Sequence, residues 1–254
     1  MEKREKRRWY VKGSAAGILL CIFLVPVLAF LERGLWENGG FTLRWYREVF
    51  LSSPLYLKKF WVSLGLTLLL TVGQMAVGIM AAYGMVIYEL PGRRVIAGIL
   101  LILLLLPVQV LLVPQYLVLE RLKLLDTMWA IILPYFFLPF STYFLMIFFD
   151  KADRSVLDAA RLEGTGSVKL LTKILLPIES RPVAALGLLV FLYAWSMVEQ
   201  PMSFLKDPQL YPLAVYLMTA PEREWGLLSP CGVLAVLPLL AAAGVGIRRS
   251  VYEA

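Results

Sequence analysis

Six apolar runs, at 13–31, 60–88, 95–118, 129–149, 182–204 and 227–247, constrain this chain more than any other feature. A hydrocarbon core of ~30 Å is crossed by about 20 apolar residues wound as helix. In lipid every backbone N–H and C=O needs an internal partner, and a helix supplies one. Charged residues make up 17% of the chain and apolar and aromatic ones 60%, where soluble domains carry ~25% and ~45–50%. Six spans leave only short connections and no room for a soluble domain of ordinary size. The sequence therefore predicts an all-α, polytopic membrane protein with six transmembrane helices. It divides into a basic tail at 1–12, a six-span domain at 13–247 containing a hydrophilic loop at 150–181, and a C-terminal tail at 248–254.

The prolines qualify this picture. Pro107 and Pro114 break the third run, so its far end is expected to bend or to lie in the membrane interface. Pro134 and Pro139 act in the same way near the start of the fourth. The first run follows Lys3, Arg4, Lys6, Arg7, Arg8 and Lys12, the layout of a signal peptide. At 19 residues it is longer than the usual apolar region of a cleaved signal, and it reads as a retained first helix.

Several chemistries are excluded. The chain has no histidine, which removes His-based acid–base catalysis, His-ligated haem and most zinc sites. Cys21 and Cys231 lie in apolar runs and read as small buried hydrophobes. No catalytic residues and no metal site are expected. The net charge of +7 has no soluble basic groove to act through, so nucleic acid is not a partner. The distribution of that charge sets orientation instead. With both termini inside, the inner segments hold 16 Lys and Arg and the outer loops 9. The first outer loop, with Arg33, Arg44, Arg47, Lys58 and Lys59, runs against the bias.

Between the fourth and fifth runs, residues 150–181 carry eleven charged residues in 32 positions. Local rules resolve this loop into two short helices. Asp153 or Ser155 caps the first, and Arg154 and Asp158 form an i,i+4 pair on it. Gly164, followed by Thr165 and Gly166, stands where the first helix stops and a left-handed backbone is needed. Val168, Leu171 and Leu175 form an apolar stripe on the second helix opposite Lys169 and Lys173. Pro177 and Pro182 end it. Paired Ala159 and Ala160 leave the first helix thin enough for another protein to approach closely.

The series Asp158-Ala159-Ala160, then three residues, Gly164, then nine residues, Ile174, one residue, Leu176-Pro177 resembles the EAA motif of binding-protein-dependent ATP-binding-cassette import permeases, E-A-A-x3-G-x9-I-x-L-P. All spacings are kept, and Asp158 replaces the leading Glu with its charge preserved. The resemblance implies a type I importer permease fold and makes Asp158, Ala159, Ala160, Gly164, Ile174, Leu176 and Pro177 the coupling segment that seats in a groove of an ATP-hydrolysing subunit. Pro107-Val108-Gln109 with Pro114, Leu124-Leu125-Asp126-Thr127, Pro139-Phe140-Ser141-Thr142 and Trp195 are similar to the carbohydrate branch, the maltose-transporter-type inner permeases. Members of that branch commonly continue into a Gly-Leu…Gly-Ala-x-Lys-Gly tail. Residues 248–254 lack it, so the resemblance carries no ATPase contact onto them.

That resemblance implies a permease subunit of an ATP-driven importer in the prokaryotic plasma membrane, moving a sugar or oligosaccharide. Its partners would be a second permease, two ATPase subunits, an external solute-binding protein and membrane lipid. The chain itself binds no cofactor in this reading, because the partner ATPases hydrolyse ATP with Mg. Gly164-Thr165-Gly166-Ser167-Val168-Lys169 lacks the Gly-Lys-Ser/Thr ending of a phosphate loop, and no buried strand precedes it. The same machine for a non-sugar solute is one alternative. An ion-driven secondary transporter is another, for which intramembrane carboxylates or broken-helix repeats would be expected.

Four residues are candidates for the solute route. Glu199 is the one acidic residue inside an expected span, where a carboxylate costs about 2.5–3.5 kcal/mol at mid-bilayer. On a continuous helix it would lie roughly 25 Å beyond Pro182, and it reads as either route lining or interfacial packing. Gln74 binds solute or glues helices. Tyr193 and Trp195 stack on a sugar ring or belong to an aromatic belt.

Overall fold

The computed structural model describes residues 25, 28–29, 31–37, 39–219 and 225–252. The basic tail 1–12, Cys21 and most of the first expected span lie outside the described residues. The chain divides into two compact units, residues 1–58 with 217–237, and residues 59–216 with 238–254. In the first unit a two-residue antiparallel ladder joins Trp36–Glu37 to Gly40–Phe41, a small departure from an all-helical chain. The Tyr46 and Ser229 hydroxyls share a hydrogen bond of 3.1 Å, and the Trp45 indole fills the space where a Cβ on Gly226 would stand.

The second unit is built from helices whose breaks follow the prolines. Helix α1 (Pro54–Ile87) runs unbroken for 34 residues, about 51 Å at 1.5 Å per residue. Helices α2 (Arg93–Leu105) and α3 (Val108–Arg121) meet at a bend of 104°. The cause is Pro107, whose ring pushes the preceding residue out of the helical region. Leu106 accordingly sits at φ −73°, ψ 131°. Pro114, expected to break this span as well, stays inside α3. Helices α4 (Trp129–Phe136) and α5 (Pro139–Lys151) repeat the device at Leu138, φ −61°, ψ 135°, yet together they are straight enough to count as one 23-residue crossing. Pro134 lies inside α4.

Helix α6 (Arg154–Leu162) and helix α7 (Ser167–Ile178) form the loop, and α8 (Ser180–Trp195) leaves α7 at 86°. Pro177 does not end the second loop helix. The segment Leu170–Leu175 winds as a π-helix, which absorbs the missing Pro177 N–H. The bend comes at Glu179, where Pro182 cannot bond the Ile178 carbonyl. The expected span 182–204 is not continuous either. It stops at Trp195 and restarts as helix α9 (Glu199–Phe204), so the continuous helix assumed for Glu199 is not formed. Helix α10 (Leu213–Thr219) and helix α11 (Trp225–Tyr252) complete the chain, and α11 continues through Arg248 and Arg249.

Among the described residues two helical stretches are long and apolar enough to cross a membrane, 54–87 and 129–151, or four when each bent pair is one span. Their surfaces suit lipid, because Trp61, Val72, Ile102 and Leu105 are between 61% and 75% exposed. Lipid gives no hydrophobic reward for bringing such helices together, so small residues and interhelical hydrogen bonds do it. A Cβ on Gly78 would meet the Ser141 side chain. That close approach lets the Ser141 hydroxyl donate to the Gln74 carbonyl at 3.0 Å. Leu70, Ile131, Leu145, Phe149, Leu175 and Val190 fill the buried interior.

Candidate functional site

The loop is shaped by local hydrogen bonds. The Asp153 carboxylate accepts the Ser155 N–H at 2.9 Å and the Ser155 hydroxyl at 2.7 Å, which starts α6. These bonds, the hydroxyl first, hold its carboxyl below the ordinary aspartate range. At the other end Gly164 turns left-handed, φ +79°. Its N–H bonds the Arg161 carbonyl at 2.9 Å, and the Thr165 N–H bonds the Ala160 carbonyl at 3.0 Å. This pair is a Schellman stop, and it satisfies carbonyls the helix end would orphan.

Two local expectations are corrected. Arg154 does not pair with Asp158. It reaches Asp150 at 3.5 Å, and Asp158 pairs with Arg161 at 3.2 Å. Val168 is not in the apolar stripe but 75% exposed. Leu175 is buried as expected and Leu171 is half-buried, while the π-helix brings Leu170 into the buried face in place of Val168.

The loop is fastened to the end of α1. A helix C-terminus leaves carbonyls without partners and carries partial negative charge. Arg161 donates to the Ile87 carbonyl at 3.0 Å. Arg93 and Arg154 point at the Val86 carbonyl at 3.4 and 3.5 Å and both hold Asp150. Tyr83 donates to the Ser167 carbonyl at 3.0 Å and Tyr88 to the Ser167 hydroxyl at 2.6 Å. Sequence reasoning missed all of these. The basic residues were legible as loop charge, but nothing in spacing says which carbonyl a guanidinium will meet.

Fastening fixes which face looks outward. Leu157 and Ala160 are buried against the unit, whereas Asp158, Ala159 and Gly164 are exposed. Val156 and Leu162 stand out beside them, Leu162 with 90% exposure. In α7, Ile174 and Leu176 are half-buried and Pro177 exposed. An exposed apolar patch with charge at its rim is what a partner surface takes up.

Inside the second unit lies a cavity of about 360 Å³. Gln74 and Tyr193 line it together with the Leu106 and Leu138–Pro139 breaks. Tyr193 stacks on Tyr135 at 6.2 Å. Trp195 and Glu199 lie elsewhere. The Trp195 ring is buried, parallel to Phe191 at 6.3 Å and edge-on to Phe60 at 5.9 Å. Glu199 is exposed at the start of α9 and accepts from Gln109 Nε2 at 3.2 Å.

At the start of α1 a second polar cluster closes the unit. Lys59, 7% exposed, donates to the carbonyls of Pro208, Gln209 and Tyr211 at 2.8, 3.3 and 3.3 Å. Asp126, in a left-handed conformation at φ +60°, accepts the Lys206 and Asp207 N–H groups at 2.8 and 2.9 Å. Lys59 was one of the charges that ran against the basic bias. It is buried in carbonyls rather than displayed.

Residues 74–208, from the cavity-lining Gln74 through the fastened loop to the Lys59-bound turn, match the model of a family described as the binding-protein-dependent transport system inner membrane component. The chain belongs to that family. This inner membrane component is 26% identical over 185 residues to the sn-glycerol-3-phosphate transport system permease protein UgpE of Brucella abortus, covering 71% of this chain and 66% of that one. It is 26% identical over 198 residues to the arabinooligosaccharides transport system permease protein AraQ of Bacillus subtilis, covering 77% and 70%. The aligned part thus spans about two thirds of those relatives. In fold it is similar to a chain of a bacterial ABC transporter involved in the import of the acidic polysaccharide alginate, with a TM-score of 0.76, 20% identity and 94% of each chain covered. The inner membrane component therefore has an ABC importer permease fold, and the relatives it matches are transport components rather than enzymes.

Proposed function

We propose that this chain is a membrane-spanning permease subunit of an ATP-driven importer of a sugar or oligosaccharide. The observation that carries the reading is the loop. Its Asp158–Ala159 surface faces outward with Val156, Leu162 and Gly164, while its inner side is fastened to the end of α1 by Arg161. A partner ATPase that moves this surface moves a transmembrane helix with it. Asp158, Ala159 and Gly164 contact the partner, Ala160 lets α6 lie close to the unit, and Ile174, Leu176 and Pro177 set the angle of α7 and α8.

In this reading the chain crosses the membrane six times with both termini inside. The domain 13–247 is the permease, 150–181 its cytoplasmic coupling loop, and 1–12 and 248–254 cytoplasmic tails. A second permease completes the route, two ATPase subunits hydrolyse ATP with Mg, and an external binding protein delivers the solute. Gln74 and Tyr193 line the route. Glu199 and Trp195 stabilise the far end of α8, Glu199 through Gln109 and Trp195 through its aromatic neighbours. The relatives named for arabinooligosaccharide and sn-glycerol-3-phosphate transport support a hydroxyl-rich solute.

The test is to place single cysteines at Leu162 and at Gln209 in the assembled complex. An impermeant maleimide added to intact cells should label the second and miss the first, and the ATPase should protect the first in inverted vesicles. Labelling of residue 162 from outside overturns the reading.

A further inference from the structure

We infer that a cavity between the start of α2 and the end of α5 seats the headgroup of an anionic phospholipid, whose acyl chains run outside along α2. The site belongs to this chain alone and does not depend on which solute is moved. Its place in the fold comes first. Helix α2 opens with Arg93 and Arg94 and carries no charge from Val95 to Leu105. Helix α5 is uncharged from Pro139 to Phe149 and ends with Asp150 and Lys151. The two helices pack together, and both charged ends border the one cavity. Apolar helix surface gives way there to the charged loop. In an inner membrane component such a boundary stands at headgroup level.

The cavity has a volume of about 190 Å³ and is bordered by Val86, Arg93, Arg94, Tyr143, Met146 and Asp150 among others. That is less than the ~300–1,000 Å³ of sites that enclose a whole small molecule. It takes a compact polar group and leaves the rest of the ligand outside. The charges decide which group. Asp150 is held by Arg93 at 3.3 Å and by Arg154 at 3.5 Å, so its charge is met within the protein. Arg94 and the Tyr143 hydroxyl make no hydrogen bond or ion pair among the described residues. The cavity therefore keeps one unmatched cation and one unused hydroxyl donor. A phosphodiester, with one negative charge shared by two oxygens, accepts from both.

The remainder of the ligand is read from the adjoining surface. At helical spacing, one face of α2 leads from Arg94 through Gly98 to Leu101 and Leu105. Leu101 and Leu105 are exposed, and a Cβ on Gly98 would meet nothing within 4 Å. This is an open apolar track of roughly 16 Å that begins at the unmatched cation. A soluble anion has no use for it, whereas an acyl chain covers it. Basic pockets between transmembrane helices at headgroup level take lipid phosphate groups. A zwitterionic lipid would bring an ammonium of its own beside Arg94. An anionic one such as phosphatidylglycerol brings negative charge only, and is the lipid selected.

The test places the photoreactive residue p-benzoylphenylalanine at Leu101 of the full chain in its native complex. The complex is reconstituted in vesicles of equimolar dioleoyl phosphatidylethanolamine and dioleoyl phosphatidylglycerol. Light joins the probe to whatever covers the track, and mass spectrometry identifies the adduct. We expect lipid adducts in which phosphatidylglycerol exceeds phosphatidylethanolamine about fivefold, the effect of one basic residue on an anionic lipid. Arg94→Gln should bring the ratio to that of the bilayer, and Arg94→Lys should keep part of the excess. Arg121→Gln, at the end of α3, should leave it unchanged. Complex yield and thermal midpoint should match the parent in both Arg94 variants, since Arg94 has no partner among the described residues to lose. An equal ratio in the parent, or an excess that survives Arg94→Gln, overturns the inference. An excess abolished by millimolar inorganic phosphate marks a site for a soluble anion and overturns it as well. So does an adduct to protein, which means that another subunit covers the track. A lowered yield or midpoint in Arg94→Gln makes the residue structural and overturns it too. Failure of ATP-driven solute uptake would refute the importer reading and leave this site standing.

Discussion

The two ends of helix α1 are fastened with the same chemistry and to opposite effect. At its start, the buried Lys59 ammonium binds three carbonyls of the 208–211 turn, and Asp126 gathers the N–H groups just before it. At its end, Arg161, Arg93 and Arg154 point at the last carbonyls, but their side chains are about a third exposed or more. A buried ammonium on three acceptors is hard to dislodge. Part-exposed guanidiniums hold weakly and are screened by water and salt. In the importer proposed above, the first end stays and the second is moved, so that α1 acts as a lever with Gln74 along it.

Substitutions at the two ends can break or sharpen this contrast. The largest effect is expected from Gly164→Val at the moving end. A Cβ there meets nothing within 4 Å, so the whole penalty is the left-handed backbone, on the order of 1–2 kcal/mol of local strain. The chain should insert normally and lose uptake, with the ATPase dissociated or hydrolysing without transport. Co-purification of the ATPase together with solute uptake measures both, and full retention of both would remove the coupling role.

Lys59→Met should act on stability instead. It strips three carbonyls of a buried charged donor, a loss of about 2 kcal/mol, visible as a lower thermal midpoint of the purified protein. An unchanged midpoint would mean the start of α1 is no anchor. Arg161→Met comes next, at about 0.5–1 kcal/mol for a cation at a helix C-terminus. The midpoint should scarcely move, while the ATP hydrolysed per solute imported should rise. Arg161→Lys should restore part of the coupling. A proportional fall of both rates would make Arg161 merely structural.

The smallest effect is on pH dependence. The Asp126 carboxyl is held below its ordinary value of 3.8, first by the Asp207 N–H and then by the Lys206 N–H. A depressed folded value means that the stabilisation is complete above the ordinary one and is lost as pH falls through the depressed one. Limited proteolysis of the 204–211 turn by an acid protease should therefore accelerate below about pH 3.8 in the parent. Asp126→Asn should be cleaved fast on both sides of that pH, with no acceleration on crossing it. If the two chains respond to acid alike, Asp126 is not the fastener.

How far the sequence could be read differs between elements. The long helices were legible because hydropathy over about 20 residues reports a lipid solvent directly. The loop was legible residue by residue where the cause is local. The Asp153 cap and the Gly164 stop depend on backbone atoms within a few positions. Expectations failed where the partner is remote or where one residue shifts the register. The Arg154–Asp158 pair assumed neighbours on the same helix, but Asp150 lies just as near to Arg154 and is itself held by Arg93 of another helix. Val168 was placed by a 3.6-residue period that the π-helix at 170–175 does not keep. Glu199 was placed on a helix that ends at Trp195.

The sequence by itself determined that this chain is helical and membrane-embedded, that helices break at Pro107 and Pro139, and that its hydrophilic loop folds as two helices joined at Gly164. Each of these follows from solvent preference or from bonds between near neighbours, and both are encoded in short windows. The tertiary structure alone decided that Arg161 meets the Ile87 carbonyl, that Lys59 is buried in the 208–211 turn, and that Gln74 shares one cavity with two proline breaks. These contacts join residues far apart in the chain. Which backbone groups remain unpaired, and which side chains reach them, is settled only when the helices pack.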